Sequence, residues 1–450
     1  MTKSLMAKYF LAKYSEEAHQ RNKMITVGFL LLGLFSSAVA AESKRLEPLS
    51  GQALYKDVKT YANFGEHRTG SAADIATSQW LLDELQSSGV KAHLQSFELA
   101  QFFNAQSELV VAGVQVAAFP HWLPKATKEN GIVAPLAYLD KKDLSGFIAY
   151  LTPEQAGLWH RADISRYAEM AASKGALALI VAVPHPSGEI YVRNAAEPWL
   201  QKPLTIPTVV VAKGRHAIID KAKRNGDSVS LKLLGKLDKK AQANNVIGKI
   251  KRGNRWIVIS TPTSGWFQAA GERGGGVALF LGLARWLSSE DAKHFDHSIL
   301  FMANSGHELN YMGAHHSMAL APDAKDVDLW LHLGASIGAR SWQETEKGLQ
   351  PLAKAHQYNM LFSHPQLLTS AKDAFKHVLD LTVESTDDLP SANGELVGFI
   401  NDGYQAMGMV GNHRFFHTPR DIADVTSAKL LAPYGEAVKQ LILNIEPSVD

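Results

Sequence analysis

Trp256-Ile-Val-Ile-Ser260 is an apolar run that leads into Thr261-Pro-Thr-Ser-Gly-Trp266 and then into the glycine-rich segment Ala270-Gly-Glu-Arg-Gly-Gly-Gly-Val-Ala278. The apolar run predicts a buried strand, and the residues from Val277 to Leu287 predict a helix. A second apolar run, His297 to Ala303, predicts the next strand. Strands that alternate with helices are typical of a mostly parallel sheet with helices on both faces. We therefore predict an α/β fold, a three-layer sandwich around a mixed, mostly parallel sheet.

Three polar segments lie at the ends of these elements. Ser260 to Gly265 follows the first strand, Asn304-Ser-Gly-His-Glu-Leu309 follows the second, and Gly271 to Gly276 begins the helix. Ligands of such sheets bind at the carboxyl ends of the strands, and helix N-termini favour negative charge. The sequence therefore predicts a functional site where the three segments meet.

The pattern also predicts one domain interrupted by another. Residues 41–129 and 239–450 are predicted to form the α/β domain, and a polar linker, Lys239 to Asn245, begins its second part. Residues 130–238 contain short apolar runs bounded by Gly, Pro or Lys, and these predict a β-rich inserted domain. The strands predicted before residue 239 are Lys91 to Leu99, Glu108 to Ala117, Phe147 to Leu151, Ala178 to Val183 and Thr208 to Ala212.

The first forty residues have the pattern of a signal peptide. Arg21 and Lys23 precede an apolar run from Ile25 to Phe35, and Ala38-Val-Ala40 fits a cleavage site. The run is too short to cross a bilayer, which requires about 20 apolar residues. We expect an exported protein, periplasmic or secreted, without a membrane anchor. Whether translation starts at Met1 or Met24 is left open.

Composition excludes several functions. The chain has no cysteine, so disulfides, a lipid-bearing cysteine and thiolate chemistry are excluded. Its 46 basic and 44 acidic residues nearly balance, so no net field attracts nucleic acid. Oligomeric state is left open.

Further segments link the chain to a known family. Phe64-Gly-Glu-His-Arg-Thr-Gly-Ser71, Asn245-Val-Ile-Gly248 and His417-Thr-Pro419 join the segments above in order and spacing. Together they resemble the secreted zinc aminopeptidases and glutamate carboxypeptidases, and the region from Gly146 to Leu234 resembles their inserted protease-associated domain. The resemblance implies a zinc-exopeptidase fold, an aminopeptidase-like hydrolase, and a peptide or amino-acid-like ligand.

Several positions depart from the family pattern. Members bind two zinc ions through His-x-Asp, a bridging Asp, a Glu-Glu pair, a later Asp and a final His. By the resemblance, Pro262 and Ser264 occupy the His-x-Asp positions and Gly334 occupies the later Asp. Proline and glycine have no ligand atom in their side chains, and a neutral serine hydroxyl is a poor zinc donor. We therefore expect at most one zinc ion.

Three candidate ligands remain. By the resemblance, Glu272 takes the bridging position, Glu308 is the second residue of the pair, and His417 is the final His; glutaminyl cyclases hold one zinc at these positions. His307 stands where the family has its general base, and an imidazole with a pKa near ~6.5 suits proton transfer. We predict His307 as the catalytic residue, although it could equally be a fourth ligand.

Three other side chains are predicted to bind substrate. Trp266 and Phe416 would give the site aromatic walls. Arg273 could clamp a substrate carboxylate, or it could pair with Glu272 or Glu308 and replace the charge of a metal ion.

Three functions stay open on this sequence. The first is an exported hydrolase homologue with one metal or altered chemistry. The second is a non-catalytic protein that binds a peptide or small ligand, a pseudoenzyme. The third is an active metallo-aminopeptidase with unusual ligands.

Overall fold

The computed structural model describes residues 46–157, 163–194, 197–387 and 394–445. The predicted signal peptide, residues 1–40, lies outside the described residues. In the described ranges, no helix has both the length and the apolar character needed to cross a membrane.

The elements of the described residues are as follows. The helices are α1 (Gly51–Asn63), α2 (Ala72–Ser87), α3 (Pro153–Ala156), α4 (Ile164–Ser173), α5 (His216–Asn225), α6 (Gly275–Leu287), α7 (Met312–Ser317), α8 (Leu368–Ala374), α9 (Leu396–Asn401) and α10 (Ala428–Leu443). The strands are β1 (Lys91–Val111), β2 (Val114–Val116), β3 (Phe119–Pro120), β4 (Ile132–Tyr138), β5 (Ile148–Leu151), β6 (Ala178–Val183), β7 (Thr208–Ala212), β8 (Ser228–Ile250), β9 (Trp256–Pro262), β10 (Ser298–Asn304), β11 (Val327–His332), β12 (Arg340–Thr345), β13 (Gly348–Ala355), β14 (Tyr358–Ser363), β15 (Thr382–Ser385) and β16 (Ala406–Asn412).

A large mixed sheet organises the fold. Its strand order is β15-β14-β16-β11-β9-β10-β8-β4-β5-β6-β7-β3, with β1 paired to β8 and β2 to β1, while β12 and β13 form a separate hairpin. At its centre, β16, β11, β9 and β10 are parallel neighbours. The predicted α/β fold with a mostly parallel sheet is confirmed.

Helices cover both faces of this centre. Ile257 and Ile259 of β9 pack in one core with α1, α6 and α10. Val258 points to the opposite face and packs in another core with Leu396 and Phe399 of α9. The alternation of side chains along a strand thus places three consecutive apolar residues in two separate cores.

The prediction of a polar linker between the two domains is wrong. Lys239 to Asn245 lies within β8, which is paired antiparallel with β1 from Lys91↔Lys249 to Val111↔Val229. Buried Ala241 and Ala243 alternate with more exposed polar residues in this stretch, as in a half-buried strand. The small size of the two alanines hid this alternation from a search for apolar runs. The strand predicted to end at Leu99 is also longer than predicted, because β1 continues to Val111 and is paired with β8 along its length.

The region predicted as an inserted domain forms its own run of parallel strands. Ile180 of β6 pairs with Tyr150 of β5 and Val209 of β7. The region is continuous with the rest of the sheet through β8, where Leu231 pairs with Ile132 of β4. Its status as a separable domain over residues 130–238 stays a prediction.

Close packing accounts for the glycines that begin α6. A Cβ atom on Gly275 would lie 2.3 Å from the carbonyl oxygen of Ile337, and one on Gly276 would lie 2.6 Å from that of Leu333. The backbone of α6 therefore lies directly against the segment that follows β11. This contact positions the preceding turn, Ala270–Gly274, at the predicted site.

Candidate functional site

The site is built at the carboxyl ends of β9 and β10, as predicted. A turn of π-helix, Ala270–Gly274, carries Glu272 and Arg273. Asp421 anchors this turn, because its carboxylate accepts hydrogen bonds from the backbone N–H groups of Gly271 (2.6 Å) and Glu272 (3.1 Å). A carboxylate in this position complements the positive end of the helical turn.

Glu272, Arg273 and His417 form one buried cluster. Arg273 Nη2 donates to Glu272 Oε1 at 2.5 Å, and both side chains are almost completely buried. His417 Nε2 faces the same carboxylate oxygen at 3.1 Å. Arg273 Nε also donates to the carbonyl oxygen of Ser264 at 3.0 Å. A fixed guanidinium therefore stands against the carboxylate that the sequence predicted as a metal ligand.

The charges around Glu272 decide its protonation. Burial alone would raise the pKa of this carboxyl group, but the positive charges of Arg273 and His417 lower the pKa on balance. Glu272 is therefore held as a carboxylate. Its other oxygen, Oε2, is buried without a hydrogen-bond partner among the described residues.

Hydrogen bonds from the protein occupy both carboxylate oxygens of Glu308. Thr69 donates its backbone N–H to Oε1 and its hydroxyl to Oε2, each at 3.0 Å. The hydroxyl of Ser264 donates to Oε2 and accepts the backbone N–H of His307. Ser264, which stands at a lost ligand position, thus serves to hold Glu308 and the His307 backbone in place.

His307 pairs with a carboxyl group that the sequence analysis missed. His307 Nδ1 lies 3.0 Å from Glu395 Oε1, directly before α9. Burial raises the pKa of Glu395 to about 8, with nearby Arg273 opposing the shift. Burial, followed by the positive charges of Arg273 and His417, lowers the pKa of His307 well below its ordinary value. Near neutral pH the pair is therefore a largely uncharged imidazole beside a carboxylic acid.

The two predicted aromatic walls differ in their surroundings. Trp266 is completely buried, and its indole N–H donates to Asn194 Oδ1 at 2.9 Å. The structure places this side chain in a core, with the Arg68 guanidinium over its ring, and not on an open wall. Phe416 is only partly buried, and its ring stacks on that of His417 with centroids 4.1 Å apart.

Residues of the region predicted as an insertion cover His417. Its Nδ1–H donates to the carbonyl oxygen of Val192 at 2.9 Å, and Val192 N–H donates to the carbonyl oxygen of His417 at 3.2 Å. The ring of Tyr191 stacks on the imidazole with centroids 5.7 Å apart. These contacts fix the orientation of His417 and shield the cluster on this side.

Backbone closes the space at one of the lost ligand positions, Gly334. A Cβ atom on Gly334 would lie 2.1 Å from the carbonyl oxygen of Met409, so no larger residue fits without a backbone shift. Pro262 is the last residue of β9 and is paired in register with Asn304 of β10. The second metal position has thus lost its space at Gly334 as well as its donors.

Two residues of the site could not be identified from the sequence. Thr69 lies inside the segment Phe64 to Ser71, so the resemblance marked its surroundings but not its contact with Glu308. Glu395 lies in no motif, and the fold brings it to His307 from 88 residues away. No local signal could have revealed this second contact.

Comparison with known proteins identifies the second part of the chain. Residues 245–442 match peptidase family M28. This part of the chain, just under half of its 450 residues, is similar to M28 peptidases. The resemblance to zinc exopeptidases is thereby confirmed, while no curated protein sequence matches the chain.

Solved structures extend the similarity over most of the chain. A zinc aminopeptidase from Bacillus subtilis superposes with a TM-score of 0.67 at 18% identity, covering 90% of this chain and 98% of the other. A peptidase M28 precursor from Shewanella amazonensis SB2B gives 0.68 at 16% identity, covering 90% and 96%. An aminopeptidase from Aneurinibacillus sp. strain AM-1 gives 0.59 at 16% identity, with the same coverage. These matches establish the M28 aminopeptidase fold.

The residues predicted as metal ligands are not arranged to hold the zinc ion that this family implies. Within the described ranges, no three His, Cys, Asp or Glu side chains come close enough together to hold a metal ion. Of the predicted ligands, Glu272 and His417 meet each other, but Arg273 is paired with Glu272. The oxygens of Glu308 already accept hydrogen bonds from the protein. The predicted set of Glu272, Glu308 and His417 is therefore not assembled as a metal site.

Proposed function

We propose that this protein is a non-catalytic member of the M28 peptidase fold that binds a peptide or amino-acid-like ligand, with Arg273 in place of a metal ion. The observation that carries the proposal is the buried ion pair, in which Arg273 Nη2 lies 2.5 Å from Glu272 Oε1. A guanidinium supplies a permanent positive charge in a fixed geometry.

The ion pair opposes the binding of zinc. A zinc ion that approached Glu272 would meet the positive charge of Arg273 in a buried place, where charges interact strongly. The guanidinium is also anchored by its Nε bond to the Ser264 carbonyl oxygen. Displacing it would leave a buried charge without its partner, which is costly.

His307 is also poorly suited to act as a general base. A general base works best when its pKa lies near the operating pH. Partial burial, followed by the charges of Arg273 and His417, keeps the pKa of His307 well below its ordinary value. Its Nδ1 is engaged with Glu395 at 3.0 Å. Without a strong base or an activating metal, hydrolysis of an amide bond is not supported.

A hydrolase with a single zinc is the second candidate, and one observation favours it. Glu272 Oε1 and His417 Nε2 lie 3.1 Å apart, and Glu272 Oε2 has no partner among the described residues. This candidate requires Arg273 to leave the carboxylate. If it holds, His307→Gln should lower turnover by roughly 10²- to 10⁴-fold, the usual effect of losing a general base.

We also propose that the protein is exported. Ala38-Val-Ala40 fits a cleavage site, and the chain contains no cysteine that could carry a lipid. The mature protein should begin at or near Ala41. N-terminal sequencing of protein recovered from the producing cell checks this, and a retained Met1 or Met24 would refute it.

A substrate panel tests the proposed function. The mature chain would be incubated with aminoacyl, peptidyl and glutaminyl substrates, with and without added zinc. We expect no turnover above that of a heat-denatured sample. Turnover that depends on zinc and disappears in His307→Gln would overturn the proposal in favour of the single-zinc hydrolase.

A further inference from the structure

One connection of the region predicted as an insertion lies over the candidate site. It leaves β6 after Val183 and reaches β7 at Thr208, and its described residues contain no helix or strand. Connections longer than about 15 residues without regular structure are uncommon and are usually functional. We call the first part of this connection, residues 184–194, the strap.

The strap contacts the site through its backbone. Val192 N–H donates to the carbonyl oxygen of His417 at 3.2 Å, and the carbonyl oxygen of Val192 accepts from His417 Nδ1–H at 2.9 Å. Both backbone polar groups of one strap residue are therefore bonded to one residue of the site. Extended peptides bind to other proteins in a comparable way, because main-chain hydrogen bonds hold them.

Three consecutive side chains of the strap are buried. Ile190, Tyr191 and Val192 are 9%, 4% and 0% exposed, and all three pack in the core that contains Trp266. The ring of Tyr191 also stacks on the imidazole of His417. Pockets for side chains give a bound peptide its specificity, and the strap fills such places with its own residues.

A side-chain hydrogen bond ties the end of the strap to the site. Trp266 Nε1–H donates to Asn194 Oδ1 at 2.9 Å. Trp266 is completely buried, whereas Asn194 is only partly buried. A substitution at Asn194 therefore removes this bond without opening a hole in the core.

The buried cluster is closed to a ligand while the strap is in place. Glu272, Arg273 and His417 are 0%, 1% and 4% exposed. A ligand that reaches the cluster therefore requires part of the protein to move. The strap covers His417 and is bonded to it, so its departure would uncover this residue.

We propose that the strap occupies the place of an extended peptide ligand at His417, and that such a ligand binds only after the strap has moved away. The inference rests on the proposed function, because it assumes a peptide-like ligand at this site. It adds that the ligand is held by its main chain and competes with a segment of the protein itself.

Competition predicts an unusual sign for strap variants. When the binding-competent state is only a small fraction of the molecules, the apparent affinity is reduced by that fraction. A variant that weakens the strap should therefore bind the ligand more tightly. A strap with a purely structural role would give no such gain.

Calorimetric titration of the mature chain tests the competition. The probe is acetyl-Ile-Tyr-Val-Arg-Asn amide, a copy of residues 190–194, and the control peptide is acetyl-Asn-Val-Ile-Arg-Tyr amide. Asn194→Ala removes the acceptor of Trp266 and should bind the probe about fivefold more tightly than wild type, the effect of one neutral hydrogen bond. Unchanged or weaker binding by this variant, or no binding of the probe by either chain, would overturn the inference.

Three further variants locate the effect. Asn194→Asp keeps an acceptor oxygen, and Lys202→Ala removes an exposed ion pair with Glu169 outside the strap, so both should bind the probe like wild type. Trp266→Phe should also stay near wild type, because the strap and the probe then lose the same donor. A gain in Trp266→Phe equal to that in Asn194→Ala would show that the probe does not take the place of the strap. Circular dichroism checks that each variant is folded.

Hydrogen exchange follows the strap itself. With saturating probe, the backbone amides of the strap should exchange faster than in the free protein, since the probe takes over the bonds to His417. Exchange that is unchanged or slower would contradict displacement.

The two proposals fail separately. Turnover of the aminoacyl, peptidyl or glutaminyl substrates by Asn194→Ala would refute the non-catalytic function, while the affinities for the probe still decide the role of the strap. Absence of turnover together with unchanged affinity would refute the role of the strap alone.

Discussion

Arg273 Nη2 lies 2.5 Å from Glu272 Oε1, and the two side chains are buried together at the turn where the sequence predicted a metal ligand. The guanidinium balances the carboxylate, and His417 Nε2 completes the cluster at 3.1 Å. The positive charge in this place is therefore part of the polypeptide itself.

Removing that charge should destabilise the fold. Arg273→Met leaves Glu272 buried without its partner, and breaking a buried pair costs about 3–5 kcal/mol. The free energy of unfolding, measured by urea denaturation, checks this. Arg420→Met, which breaks a largely exposed contact with Asp424, should cost less than about 1 kcal/mol. Adding Glu272→Gln to Arg273→Met should recover much of the loss; equal effects of the two arginine variants would contradict the role assigned to the pair.

Thr69 should contribute to stability through Glu308. Thr69→Val removes the hydroxyl that donates to Oε2 at 3.0 Å, and because Ser264 still donates to this oxygen, the loss of one hydrogen bond should cost about 0.5–1.5 kcal/mol. Thr60→Val is the matched control, because the Thr60 hydroxyl bonds an exposed backbone carbonyl within its own helix. Thermal and chemical denaturation of both variants measure the difference. A Thr69 variant no less stable than the control would show that this hydrogen bond is not needed.

Glu395 should make stability fall as the pH rises. Burial raises its pKa from 4.5 to about 8, so the folded state keeps the proton that the unfolded state releases. Its contribution is complete below about pH 4.5 and is lost progressively as pH approaches 8. Glu395→Gln cannot ionise. As the pH rises from 5 to 8, the free energy of unfolding of the wild type should therefore fall relative to that of this variant. A difference between the two that does not change with pH would refute the assigned protonation.

Gly334 should resist even the smallest substitution. Gly334→Ala places a Cβ atom 2.1 Å from the carbonyl oxygen of Met409, and overpacking of this kind costs about 1–3 kcal/mol. At Gly398 in α9 an added Cβ meets nothing within 4 Å, so Gly398→Ala should be neutral or stabilising. The melting temperatures of the two variants compare the sites directly. Equal melting temperatures of the two variants would show that the space at Gly334 is not closed.

Local patterns predicted the centre of the fold well. The predicted strand from Trp256 ends two residues early, and the helix ending at Leu287 begins two residues before its predicted start. Apolar runs and glycine-bounded ends are local signals, and a buried parallel strand needs little else. The course of β8 could not be predicted in the same way, because its polar residues are held in a strand by their pairing with β1.

The chemistry of the site was only partly predictable. From the sequence, Arg273 could pair with either Glu272 or Glu308. The structure shows that it pairs with Glu272, because the carboxylate of Glu308 accepts hydrogen bonds from Thr69 and Ser264. The burial of Trp266 depends on residues far away in the chain, and so does the contact between His307 and Glu395. Contacts of this kind arise from topology and leave no trace in local spacing.

The zinc content of the purified chain tests the central claim most directly. Elemental analysis after dialysis, followed by calorimetric titration with zinc, measures whether the cluster of Glu272, Arg273 and His417 holds a metal. With Arg273 in place of the ion, we expect well below one zinc per chain and no rise in melting temperature on adding zinc, since a bound metal would stabilise the fold. Arg273→Met is the variant in which zinc binding could appear. One or two tightly held zinc ions in the wild type, lost in Glu272→Gln, would contradict the account.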